Sequence, residues 1–408
     1  MREQVLNILG FSWLTGPIFE KELRVSSRRR RNYVLRFVYL GLLLISLVLV
    51  WLEEVHYSSW TLYSVSRMSR AGQTIVMFIV WFQFCAAQLV AIVALSTSIS
   101  DEINGRTLAA LMTTPINSFQ VVMGKLLSKL LQILLLMAIS LPLLAIVRVF
   151  GGVPWGFLVS SLSITFVCVL FVGMLSLFFS IFSRRAYVVM LANLLSIGVL
   201  FGLLPLIAGY LCVEVFDVRD PAFFKWLSMF NPYILLALET DRMMSSFRAV
   251  PQSLVPGCLA VMLSGCGVLF LASVAMVRKV ALLQATGQLG KRKPSKVTLA
   301  VGPAQGDPKA RRLISGGAIR RVFGPPVLWR EMMRPVFGQH KKWFLLLIGG
   351  AVLLLMVTYL MAAAEHALDD EEMHMVYGAI LLGLGMLFAV ILPATCISSE
   401  KESRTWPL

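Results

Sequence analysis

Apolar residues in this chain come in long runs separated by short polar segments. Eight runs reach the roughly 20 residues that a helix needs to cross a bilayer: Tyr33–Leu52, Gln73–Thr97, Leu126–Val147, Trp155–Phe182, Ala186–Val213, Val255–Val277, Trp343–Met361 and Val376–Cys396. They are nearly free of charge and do not alternate polar with apolar residues, as strands of a membrane barrel would. A helix satisfies its backbone hydrogen bonds within the segment, so the pattern predicts an all-α polytopic membrane protein. Ahead of the first run, Val5 to Leu14 is apolar but too short to span. Pro17 is expected to interrupt it, and the charged stretch Glu20 to Arg31 follows. This reads as an interfacial elbow helix ending in a basic stop.

The text after the second run returns after the eighth. Thr97, Ile99, Ser100, Glu102, Arg106 and Thr107 recur without gaps as Thr395, Ile397, Ser398, Glu400, Arg404 and Thr405. Likewise Pro17-Ile18-Phe19-Glu20-Lys21-Glu22-Leu23 recurs as Pro326-Val327-Leu328-Trp329-Arg330-Glu331-Met332. Repeats fix architecture. The division expected is a first unit over 1–282 (elbow plus six spans), a basic flexible linker over 283–321, and a second unit over 322–408. That second unit holds an elbow and two spans and stops inside the returning motif, so it reads as truncated by four spans. Between Glu214 and Ser253, the aromatics Phe223, Phe224, Trp226 and Phe230 precede Asn231-Pro232. Such density reads either as short, partly re-entrant helices or as plain belt anchoring at the interface. The Gly198-x-x-x-Gly202 spacing reads as helix packing.

Composition sharpens the class. The chain is 58% hydrophobic and 14% charged, against about 25% charged in soluble domains. The net charge of +16 is a matter of placement: 28 of the 37 Lys and Arg fall on one set of connecting segments and termini. Basic residues collect on cytoplasmic loops, which predicts N-terminus and C-terminus inside. The same placement removes nucleic acid as a partner. The run Arg28–Arg31 reads as a topology anchor rather than a lipid site. None of the six cysteines has metal-site spacing.

Catalytic text is missing. A phosphate-binding loop needs Gly-x-x-x-x-Gly-Lys-Ser/Thr, and Gly290-Lys291 has Ala285 and Arg292 at the decisive positions. With no hydrolase or metalloprotease motif either, the chain reads as neither an enzyme nor a cofactor protein. The 99–125 segment carries the best mechanistic signal. Glu102 and Arg106 stand at i,i+4, a weak surface pair if the segment is helical. Leu108, Leu111 and Met112 form an apolar stripe, and Pro115 ends it.

The order Ser-x-Glu-x-x-x-Arg-Thr-Leu (Ser100 to Leu108), Leu-x-x-Thr-Pro (Leu111 to Pro115) and Gly-Lys-Leu (Gly124 to Leu126) resembles the ABC-2 type permeases, the membrane subunits of ATP-driven exporters. The opening Gly16 to Arg24 resembles their start. The resemblance implies a multi-pass protein of the bacterial inner membrane that works with a separate ABC ATPase subunit. A second permease subunit or a homodimer would complete the pathway. Recurrence in the second copy favours a coupling helix that docks on that ATPase through Glu102, Arg106, Thr107, Leu108, Leu111 and Pro115, with Glu400 and Arg404 in the second copy; the alternative is an interfacial helix that only redirects the chain. The resemblance also implies that Phe223, Phe224, Trp226 and Phe230 lie on re-entrant helices near an outer gate. The competing reading is a non-transporting membrane scaffold or regulator derived from such a permease.

Overall fold

The computed structural model describes residues 11–28, 30–56, 64–105, 117–151, 153–183, 186–210, 221–244 and 254–285, with shorter helical stretches between 349 and 389. In chain order the helices are α1 (Phe11–Ser27), α2 (Arg30–His56), α3 (Ser64–Ser96), α4 (Ser100–Asn104), α5 (Ser118–Gly151), α6 (Trp155–Phe182), α7 (Ala186–Ile197), a π-helical turn (Gly198–Leu203), α8 (Leu204–Tyr210), α9 (Pro221–Phe230), α10 (Pro232–Met244) and α11 (Leu254–Ala285). The protein is an all-α polytopic membrane protein. Among the described residues, five helical segments are long and apolar enough to cross a membrane: Asn32–Leu52, Arg70–Ile103, Ser118–Arg148, Trp155–Phe182 and Leu254–Leu283.

The bundle forms around α6. Of its most apolar window, 72% is buried, against 11% for the span in α2. A helix apolar on every side must be surrounded, and α6 packs on α3, α7, α10 and α11. By contrast α2 touches the bundle along one edge. Tyr39 and Leu43, one turn apart, are buried, while Val34, Phe37 and Ile45 are exposed. The Tyr39 ring lies 5.5 Å from that of Phe82 on α3.

Small residues set the closest contact. A methyl group added to Gly173 on α6 would come within 2.8 Å of Leu95 Cδ1 on α3, and the Leu95 side chain is fully buried. Gly173→Leu is therefore expected to force α3 off α6 and cost about 1–3 kcal/mol. A smaller residue would gain helix propensity and blur the reading. Thermal unfolding in detergent checks this, with Leu95→Ala restoring part of the loss by making room.

Two expectations change. Pro17 does not interrupt the first helix, which runs through it from Phe11 to Ser27. Pro142 likewise sits inside α5. Neighbouring helices absorb the missing hydrogen bond at such prolines; α1 is held along α5, in part by Glu22 Oε2 3.9 Å from Lys129 Nζ. The fifth apolar run, expected as one span, is helical from Ala186 to Tyr210 with the π turn at Gly198–Leu203 in its middle. Among the described residues, nothing stands within 4 Å of where a Cβ on Gly198 would be. The linker and most of the second unit lie outside the described residues. Within that unit, Gly350 stands against the π turn, its added Cβ 3.3 Å from Val199 Cγ2.

Candidate functional site

The end of α3 where the chain turns into α4 is tied to two other helices. After Ser96 the backbone turns through Thr97–Ile99, and α4 starts at Ser100. The residue before it is Ile99, which makes no side-chain cap; Asp101 N and Glu102 N donate to the Thr97 and Ile99 carbonyls, which leaves Ser100 N in need of an acceptor from elsewhere. Ser180 Oγ on α6 supplies one, accepting from Ile99 N and Ser100 N at 3.1 Å each. One turn earlier on α6, Ser176 Oγ donates to the Ile92 carbonyl of α3 at 3.1 Å. Hydroxyls four residues apart share a helix face, and this pair stitches α6 to the last turns of α3.

Lys125 on α5 makes the second tie. Its Nζ lies 2.8 Å from Glu102 Oε1 and donates also to the Ser98 carbonyl. The ion pair is largely out of solvent, with side-chain exposures of 4% for Lys125 and 17% for Glu102. Charge-assisted bonds are shorter and stronger than neutral ones. Arg106, expected as the i,i+4 partner, lies outside the described residues, and Glu102 pairs across helices. It anchors α4 to α5.

A second arrangement centres on Asn231. Helices α9 and α10 meet at Asn231, and each begins with a proline, which favours a first helical turn. Asn231 Oδ1 accepts from Tyr233 N at 3.0 Å and Ile234 N at 3.4 Å, capping α10. Its Nδ2 donates to the Phe201 carbonyl in the π turn at 2.7 Å. The Tyr233 ring lies 4.9 Å from that of Phe84 and 5.7 Å from that of Phe201, and its hydroxyl donates to Gln88 Oε1. Phe84 and Gln88 belong to the middle of the span Arg70–Ile103. The joint of α9 and α10 is therefore held against the middle of α3. Further along α10, Glu239 is 4% exposed. It accepts from Ser160 Oγ of α6 at 3.1 Å and lies 3.7 Å from Arg242 Nη1.

The family described as ABC-2 family transporter protein matches residues 17–286, from within α1 to just past α11. The chain belongs to this family. It is thus a membrane permease component of an ABC transporter, a class that works with an ABC ATPase partner. No curated protein matches the sequence.

The expected coupling residues come from the 99–125 segment and its recurrence. Of these the structure describes Glu102; Arg106, Thr107, Leu108, Leu111, Pro115, Glu400 and Arg404 lie outside the described residues. On α9, Trp226 and Phe230 are 61% and 53% exposed, while Phe223 and Phe224 are described only as parts of that helix. Sequence reasoning passed over Ser180 and Glu239, and named Asn231 without giving it a task. For Asn231 a signal was present: Asn-Pro is a helix-start dipeptide, with the amide as cap and the proline in the first turn. Lys125 was seen in Gly-Lys-Leu without its partner.

Proposed function

We propose that this ABC-2 permease couples ATP hydrolysis on a separate ABC ATPase subunit to export, with the 99–125 segment as the docking site. The observation that carries the reading is the double tie of α4, to α5 through Lys125 and to α6 through Ser180. A push on α4 from outside the bundle would be felt by three spans at once. The basic side is then the cytoplasmic side, as the placement of Lys and Arg requires. Leu108 and Leu111 supply the apolar contact with the ATPase, and Arg106, Thr107 and Pro115 shape the segment that presents them. Glu400 and Arg404 play the same part in the second copy. On the other side, α9 and α10 form the outer gate. Phe223, Phe224, Trp226 and Phe230 place α9 at the interface, and Asn231 fixes the hinge.

A pull-down in mild detergent tests this reading. The nucleotide-binding subunit is expected to co-purify with the wild-type chain, and Leu108→Asp is expected to lose it, since a charge in an apolar docking stripe costs several kcal/mol unless it is paired. Glu102→Gln is expected to keep binding but lower the transport obtained per ATP. A folded chain that brings down no ATPase would favour the scaffold reading instead.

A further inference from the structure

We infer that the corner between α1, α2 and α5 is a binding site for the phosphate of a membrane phospholipid in the leaflet on the basic side, with Arg36 as its cation. A cavity of about 210 Å³ opens there, lined among others by Ser26, Asn32, Arg36, Gln132 and Leu135. Pockets for whole small-molecule ligands run to roughly 300–1,000 Å³, so this one has room for a headgroup and not for a transported cargo.

The corner is pre-formed. Asn32 Nδ2 donates to the Ser26 carbonyl at 2.8 Å and to Ser26 Oγ at 3.0 Å. The Tyr33 hydroxyl donates to the Ser27 carbonyl at 3.1 Å. These bonds lock the end of α1 against the start of α2 and leave two groups that still call for an acceptor. One is the Arg36 guanidinium, which sits 5.8 Å from the Tyr33 ring centroid and has no carboxylate partner among the described residues. The other is Gln132 Nε2, buried with no hydrogen-bond partner among the described residues. A buried donor left without an acceptor is costly. The nearby carboxylate of Glu22 faces Lys129 instead, 3.9 Å away. Guanidinium and amide together suit the oxygens of a phosphate, which a guanidinium grips through two parallel bonds.

Position selects a lipid over a free anion. Arg36 lies one turn inside the span Asn32–Leu52, close to the basic end, where headgroups begin. Leu135 both lines the cavity and is 44% exposed, so the cavity continues into the apolar surface of α5, where acyl chains lie. The exposed Arg30 and Arg24 add positive charge on the approach.

Native mass spectrometry of the full chain in mild detergent tests this, with phosphatidylglycerol, a diacylglycerol of the same chains, and inorganic phosphate as probes. The wild-type chain is expected to retain one phosphatidylglycerol and no diacylglycerol, and excess inorganic phosphate is expected not to displace the lipid. Arg36→Gln should weaken retention about tenfold, from loss of a partly buried charge-assisted contact. Gln132→Leu should weaken it severalfold with the net charge unchanged, and it reads the site independently should Arg36→Gln fail to fold. Arg30→Gln, outside the cavity, should have the smallest effect. Equal retention of diacylglycerol would reduce the site to an apolar groove and overturn the proposal. So would displacement by inorganic phosphate, equal losses in the Arg30 and Arg36 variants, or full retention in both Arg36→Gln and Gln132→Leu.

Discussion

Lys125→Met is expected to destabilise the protein by about 3 kcal/mol, the lower end of the roughly 3–5 kcal/mol cost of removing one partner from a buried ion pair. The lower end applies because the Glu102 side chain keeps 17% exposure and recovers some hydration. Two groups lose a partner at once, the Glu102 carboxylate and the Ser98 carbonyl. Glu102→Gln should be milder, about 1 kcal/mol, since an amide oxygen still accepts from Lys125. The double variant Glu102→Gln/Lys125→Met leaves no buried charge and should be more stable than Lys125→Met alone. A double-mutant cycle by thermal unfolding in detergent measures the coupling, and strictly additive losses would show that the two side chains do not act together. The same variants separate stability from transmission. If the pair transmits ATPase closure as proposed, the double variant regains stability but still spends ATP without transport. Recovery of both would make the pair a purely structural clamp.

Much of the fold could be read from hydropathy, because a bilayer demands unbroken apolar helices whatever their neighbours. The run Trp155–Phe182 was predicted with the limits later seen for α6, since Pro154 and Ser183 bound it sharply on both sides. What escaped was whatever depends on a partner distant in the sequence. From Glu102 the i,i+4 rule reaches only Arg106, whereas the ion partner among the described residues, Lys125, stands on the next long helix. Ser180 and Ser176 look like neutral interruptions of an apolar run, and only the approach of α3 to α6 gives their hydroxyls a task. Pro17 was read by the rule for isolated helices, where an interior proline breaks the turn. Packing on α5 outweighs that rule here. The π turn at Gly198–Leu203 has no pattern in hydropathy at all, because one extra residue in a turn leaves an apolar run apolar.

Asn231→Ala is expected to cost about 2–4 kcal/mol, more than an ordinary cap, because this side chain has two tasks. As a cap for α10 it satisfies Tyr233 N and Ile234 N, worth about 0.5–2 kcal/mol. As a donor it satisfies the Phe201 carbonyl, and a buried carbonyl left bare costs about 1–3 kcal/mol more. Only an amide does both. Asn231→Ser should retain the cap but fail to reach Phe201, losing about half. Asn231→Asp also retains the cap, but a carboxylate cannot donate to a carbonyl and brings charge to a residue only 2% exposed. It is therefore expected to be at least as damaging as alanine, although its shape is nearly that of asparagine. Hydrogen exchange at the Tyr233 and Ile234 amides separates the tasks: rapid in Asn231→Ala, slow in Asn231→Ser, with thermal stability lowered in both. Equal exchange in the two variants would show that the side chain does not cap α10. The consequence reaches further than one turn, since Tyr233 is the ring that meets both Phe84 and Phe201. Loosening the start of α10 withdraws that ring from α3 and from the π turn together, so the joint of α9 and α10 is expected to open as a unit.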